Sequence, residues 1–425
     1  MFGSLSRWNS ACIAFVLIAV VYQCWNYMHF IYMDAGVSVR GQVDSYEASI
    51  NESPSRFDEK PNSLKYVSTY TSISNNQSTH LLKANEKLHS LRIPIDIMKL
   101  GPFPFLPNYK NPCWRTSSGV LRCLPYFHLI GCVKCGSSDL FYRITRHPEV
   151  SDLIQKKEPK WIGGGAHHAH CCSFNDYLDM YKSAVDKDIA KNDSSGFHRC
   201  VLGDGSPGTL VNNVQWEVIK HPEEAKALNR SEPVFANADL IHHLNPGAKI
   251  ILMLRNPIDR SWSAYQYFGL TSQKSQEDFH RLTVRSISDF QQCLSQNELR
   301  HCVYHSHNVR DRYKGIPNVW PNIYHVHLQE YFRVFPRKQI LVLNIESYSK
   351  DIRAAMEKVY AFLELGKLPE AMWETVSTTT KRNELSSSRR IGNMWNKTRE
   401  LLQDFYAPYN KELVRLLGSE FDFNK

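Results

Sequence analysis

The sequence predicts an α/β fold built on a central, mainly parallel sheet flanked by helices. Three observations carry that prediction. From about residue 101 onward, short apolar runs alternate with amphipathic stretches, the pattern that strand–helix–strand units require. Three runs have the length and composition of buried strands: YFHLIG at 126–131, IILML at 250–254 and ILVLNI at 340–345. The first two pass directly into turns marked by glycine or proline and then into helical patterns. Strand ends of that kind are where open α/β sheets bind their ligands.

Taken in order from the N-terminus, the first feature is ACIAFVLIAVVYQCWNYMHFIYM, residues 11–33, with no charged side chain over 23 positions. A membrane-spanning helix needs roughly 20 residues, and Trp25, Tyr27, Phe30 and Tyr32 suit an interfacial aromatic belt. No small-x-small site closes the run, so it reads as an uncleaved signal anchor. Arg7 precedes the run and Asp34 follows it, which sets residues 1–10 in the cytosol and the remainder in a lumen, a single-pass type II arrangement. Residues 34–100 are polar and lack apolar periodicity, as a flexible stem would. The proline-rich stretch that follows opens a folded domain at 101–425. Within it, helices are expected from Ser138 or Asp139, from Pro257, over 352–363, and over 394–417 with a kink at Pro408.

Further marks agree with a lumen. N-x-[ST] sequons stand at Asn51, Asn76, Asn192, Asn229 and Asn396. Nine of the eleven cysteines follow the anchor, where disulfides form. Cys293 with Cys302 is the favoured bridge, ahead of Cys113 with Cys123 and of Cys200 with Cys171 or Cys172. An odd number of luminal cysteines leaves one thiol free or shared between chains, so a homodimer stays open. The formal charge of +9 calls for an anionic partner. The lumen excludes nucleic acid and leaves acidic glycans and nucleotide-like donors.

The chemistry concentrates at two strand ends. In GCVKCGSSDL, Gly131 and Gly136 have the spacing of a triphosphate-binding loop, but Ser137 and Ser138 stand where that loop has Lys and Ser or Thr. Lys134 lies inside the loop instead, and no convincing magnesium-binding aspartate accompanies it. Strand, glycine turn and helix N-terminus still make an anion site. In RNPIDRSWSAYQYF, Arg255 and Ser263 offer a guanidinium fork and a hydroxyl suited to a terminal phosphomonoester, or else cap local backbone. Two phosphate sites on adjacent strand ends fit a nucleotide phosphorylated at two separate positions.

VKCGSSDL and RNPIDRSWSAY, with RHPEV, KKEP, LGDGSPGTL and LQEYFRVFPRKQILVLNIE in the same order, resemble the Golgi carbohydrate sulfotransferases across about residues 125–423. The nearest resemblance is to the branch that sulfates the 6-position of N-acetylgalactosamine 4-sulfate in chondroitin and dermatan sulfate, with the heparan sulfate sulfotransferases more distant. Val133 and Ser137–Ser138 depart from that family's Pro and Thr–Thr. The resemblance implies a P-loop-like sulfotransferase domain and 3′-phosphoadenosine 5′-phosphosulfate as donor, with no metal. It further implies a glycosaminoglycan acceptor and a Golgi membrane location. Residue by residue it implies that Lys134, Cys135, Gly136, Ser137, Ser138 and Asp139 cradle the phosphosulfate. Lys134 would sit against the bridging oxygen and Arg255 and Ser263 on the 3′-phosphate. Glu158 would act as the base, and Arg389 and Arg390, in KRNELSSSRR, would close over the donor. Asp204 and Ser206 would line the acceptor cleft. The segment GGGAHHAHCCSF (163–174) has metal-ligand residue types but no zinc spacing, and its departure from the family bears on acceptor choice. A heparan-type acceptor, or a catalytically silent glycan- or nucleotide-binding membrane protein, are the alternatives.

Overall fold

A hairpin stapled by a disulfide precedes the sheet. Strands β1 (Cys113–Arg115) and β2 (Leu121–Cys123) pair antiparallel, with Cys113 opposite Cys123 and the two joined covalently. The expected apolar runs then appear as β3 (Phe127–Gly131), β5 (Lys249–Leu254) and β6 (Ile340–Asn344), and β4 is the short Gly203–Asp204. These strands form one sheet in the order β4-β3-β5-β6, every neighbour parallel. The computed structural model describes residues 96–163, 173–213, 223, 226, 232–269, 274–305, 317–378 and 391–425.

Strand side chains alternate between two cores, as the period of two demands. Ile130, Ile250, Leu252 and Leu254 face one apolar cluster; Phe127, Leu129, Ile251 and Met253 face the other. Burial on both faces is why these segments read as nearly continuous apolar runs. The helices, in chain order, are α1 (Ser137–Ile144), α2 (Phe174–Asp179), α3 (Asn237–Leu244), α4 (Pro257–Phe268), α5 (Gln276–Leu294), α6 (Leu299–His305), α7 (Tyr324–Val334), α8 (Ile345–Lys350), α9 (Ile352–Phe362), α10 (Glu370–Thr378) and α11 (Asn396–Leu417), of which α1 packs on β3 and α8 and α9 on β6. Pro408 lies inside α11.

Several expectations change. The packed chain starts before residue 101: Ile97 and Leu100 are core residues, and His243 Nε2 meets the Leu100 carbonyl at 2.7 Å. Cys293–Cys302 forms as expected, but Cys200 carries a free, half-buried thiol whose pKa burial pushes up to about 11. Cys132 and Cys135 are bonded to each other, a pair the spacing did not suggest. Asn192 and Asn396 are exposed. The anchor, most of the stem, Asn51, Asn76, Asn229, Arg389, Arg390 and the segment from His167 to Cys172 lie outside the described residues. Among the described residues, no helix is long and apolar enough to cross a membrane.

Candidate active site

β3 and β5 are neighbours, so the loops leaving their carboxyl ends meet at one edge. The strand order places the next connections on opposite sides of this pair, the topological position at which such sheets bind ligands. At the end of β3 the pairing register shifts between Leu129 and Gly131. A Cβ on Gly131 would meet Leu210 at 2.8 Å. The chain then turns through Lys134 (φ 69°) and Gly136 (φ 80°), and Gly136 caps the start of α1. Left-handed geometry suits Gly136 and is costly for a lysine, so other groups must hold Lys134.

Those groups come from β5 and α4. Arg255 Nη1 donates to the Lys134 carbonyl at 3.2 Å, and Arg260 Nε donates to the Val133 carbonyl at 3.0 Å. Arg260 is buried and reaches Asn322 Oδ1 at 3.0 Å with Nη1. The Tyr324 hydroxyl donates to the Arg255 carbonyl at 3.0 Å. α4 begins where it does because Asn256 accepts from the Ile258 N–H at 2.9 Å and Pro257 occupies the first turn, where its missing N–H costs nothing. Ser263 is half-buried on this helix. The Lys134 ammonium rests 3.9 Å from the ring centre of Tyr267, near the exposed end of α4.

A second segment closes the other side of the loop. Lys157 Nζ donates to Ser138 Oγ at 3.1 Å and to Glu158 Oε1 at 2.9 Å, while Lys160 Nζ stands 3.6 Å from Glu158 Oε2. Burial lowers the Lys157 pKa, against the opposing pull of Glu158. The 157–160 stretch is fixed from beneath by the loop after β4. Gly205 N–H donates to the Lys157 carbonyl at 3.0 Å, and Lys160 N–H donates to Ser206 Oγ at 2.9 Å.

The expected site residues therefore divide. Lys134, Gly136, Ser137, Ser138, Arg255 and Glu158 are joined around one loop, with Lys157 bridging Ser138 and Glu158. Asp139, expected in the donor cradle, turns inward. Its carboxylate accepts from Arg143 Nε at 2.9 Å and from the Tyr348 hydroxyl at 2.6 Å, and it is 5% exposed. The Cys135 sulfur is committed to Cys132, and its N–H donates to the Cys132 carbonyl at 3.2 Å. Asp204, expected at the acceptor, is buried: it accepts from Ser206 N–H and the Tyr177 hydroxyl, both at 3.0 Å, and burial raises its pKa. Asp204 and Ser206 thus support the 157–160 segment from behind.

Arg260, Lys157 and Tyr267 were not singled out from the sequence. Arg260 is the second arginine of RNPIDR and Lys157 adjoins Glu158, so both had a signal; Tyr267 had none. The assembled edge carries a helix N-terminus whose first N–H groups lack intrahelical acceptors. Around it stand the Lys134 ammonium, an arginine and a carboxylate held between two lysines. It is built to hold an anion beside a base.

Residues 129–403 match the protein-family model described as Sulfotransferase domain. Carbohydrate sulfotransferase 15 of Homo sapiens is 28% identical over 434 residues, covering 84% of this chain and 74% of that protein. Bifunctional heparan sulfate N-deacetylase/N-sulfotransferase 4 of Mus musculus is 23% identical over 351 residues, covering 74% of this chain and 34% of that protein. A solved sulfotransferase from Alicyclobacillus acidocaldarius aligns with TM-score 0.46 and 19% identity, covering 69% of this chain and 96% of the other.

Proposed function

The chain belongs to the sulfotransferase domain family, and from that premise we propose that it sulfates a glycosaminoglycan hydroxyl, the 6-position of N-acetylgalactosamine 4-sulfate in chondroitin or dermatan sulfate. One observation carries the reading: Glu158 stands one ammonium away from the loop, through Lys157 and Ser138. A base beside the anion cradle is the arrangement that transfer to an alcohol needs.

The cradle fits 3′-phosphoadenosine 5′-phosphosulfate in its chemistry. The α1 N-terminus with Ser137, Ser138 and Lys134 suits a phosphosulfate, and Arg255 with Ser263 a second, separate phosphate. When bound, that donor supplies the sulfuryl group and departs as the 3′,5′-bisphosphate. Glu158 takes the proton of the attacking hydroxyl as its oxygen bonds to sulfur. Lys134 neutralises the charge left on the bridging oxygen as the sulfur–oxygen bond to phosphate breaks. Lys157 links the two events, since one ammonium contacts both the base and the loop. Residues 11–33 would anchor the enzyme in the Golgi membrane with this site in the lumen.

The test is sulfate transfer from labelled donor by the detergent-solubilised full chain. Chondroitin 4-sulfate, dermatan sulfate, desulfated chondroitin and heparan sulfate are offered in parallel, followed by disaccharide analysis. Label on the 6-position of 4-sulfated N-acetylgalactosamine is expected. Label confined to heparan sulfate overturns the acceptor, and donor binding without transfer to any of the four overturns it too, in favour of an untested acceptor or a silent binder.

A further inference from the structure

The two lysines beside Glu158 are not equivalent. Lys157 is turned inward, its side chain 25% exposed and bonded to Ser138 of the donor loop at 3.1 Å. Lys160 is turned outward: its side chain is 64% exposed, yet its ammonium stays 3.6 Å from the other carboxylate oxygen. That outward direction is built into the backbone. Lys160 follows the buried Pro159, adopts a left-handed conformation (φ 58°) and donates its N–H to Ser206, which is itself buried. A lysine on an ordinary solvated face needs no such support.

Resting on the reading of Glu158 as base, we propose that Lys160 is the specificity residue that recognises the sulfate already present on the acceptor sugar. In N-acetylgalactosamine 4-sulfate, the sulfate on C4 neighbours the C5 hydroxymethyl that bears the attacking oxygen. A hydroxyl bonded to Glu158 therefore carries its 4-sulfate to the adjacent ammonium on the solvent side. Lys157 is held by the donor loop, so beside Glu158, among the described residues, Lys160 is the ammonium left to meet it. A charge-assisted hydrogen bond of this kind gives preference for the sulfated sugar. A lysine acting only through Glu158 would instead affect every acceptor alike.

The experiment compares the full chain with Lys160→Gln and Lys160→Arg on chondroitin 4-sulfate and desulfated chondroitin, reading kcat and KM separately. The wild type is expected to favour the 4-sulfated polymer. Lys160→Gln should raise its KM about tenfold or more, the worth of one hydrogen bond to a charged group, and bring the kcat/KM ratio of the two acceptors toward one. Lys160→Arg should keep the preference. An unchanged ratio in Lys160→Gln, including an equal loss of kcat on both polymers, overturns the inference alone. A wild type that sulfates neither polymer overturns the acceptor reading and this inference with it.

Discussion

Lys134 occupies a backbone conformation that a lysine adopts only when neighbours enforce it, and here Arg255 and Arg260 hold its own and the preceding carbonyl. Arg255 consequently serves the loop as well as any phosphate. Its replacement by alanine should raise the KM for donor and lower kcat together, whereas Ser263→Ala should chiefly raise KM. Glu158→Gln keeps the shape and the Lys157 contact and removes the base. Its kcat should fall by about 10² to 10⁴, the usual worth of a positioned proton acceptor, with no change in melting temperature. Normal turnover in Glu158→Gln would withdraw its role. Lys134, Glu158 and Arg255 were legible because each stands at a strand end or in a quoted motif. Asp139 was misplaced because a helix's third residue points to solvent or to core according to packing that a single sequence does not show. Asp204 was misplaced for the same reason, since a glycine–proline turn reads alike whether its acid faces a cleft or a tyrosine.

At the scale of elements, α1 is the piece that presents the donor loop, and a buried ion pair fixes it in place. Asp139 and Arg143 sit one turn apart, with Arg143 fully buried, and Tyr348 on α8 completes the set. Removing one partner strands the other's charge in the core, at a cost of about 3–5 kcal/mol. Asp139→Ala should therefore lower the urea midpoint strongly, while Asp139→Ala/Arg143→Met, which removes both charges, should recover part of the loss. Equal midpoints for single and double variants would show that the pair has no such role. The strands β3, β5 and β6 were legible nearly to the residue because burial on both faces leaves an unbroken apolar run. The two-residue β4 was not legible as an element of its own size, since Gly203 and Asp204 have no strand preference of their own and pair with β3 only through the register of the sheet. The hairpin of β1 and β2 was likewise visible only through its cysteines. Ile97 and Leu100 were assigned to the stem because two isolated apolar residues carry no period; their contact with α3 exists only in the folded chain.

At the scale of the molecule, acid is the condition that should loosen it, and two of the buried histidines, His128 and His327, carry the largest part of the reason. Burial lowers the pKa of His128, the second residue of β3, to about 3 from its ordinary 6.5. His327 on α7 is lowered to about 4, again chiefly by burial. His327 Nε2 donates to the Trp320 carbonyl at 3.4 Å, and among the described residues its buried Nδ1 has no hydrogen-bond partner. A proton added there would create a cation with an unmet donor. Both residues are therefore neutral in the native state near pH 5, whereas in the unfolded chain each takes up a proton below about 6.5. The unfolded state then binds more protons, so stability falls as pH drops through 6.5 and goes on falling toward the native values. Between pH 7.5 and pH 5 the loss should be about 2 kcal/mol for each histidine. Urea unfolding at those two pH values checks this, using His128→Leu, which keeps an apolar side chain in the strand and removes the titration. The variant should lose about 2 kcal/mol less stability on acidification than the wild type. Parallel losses in the two proteins would mean that His128 is protonated in the native state, and that the sheet interior beside the donor loop is wetter than its packing implies.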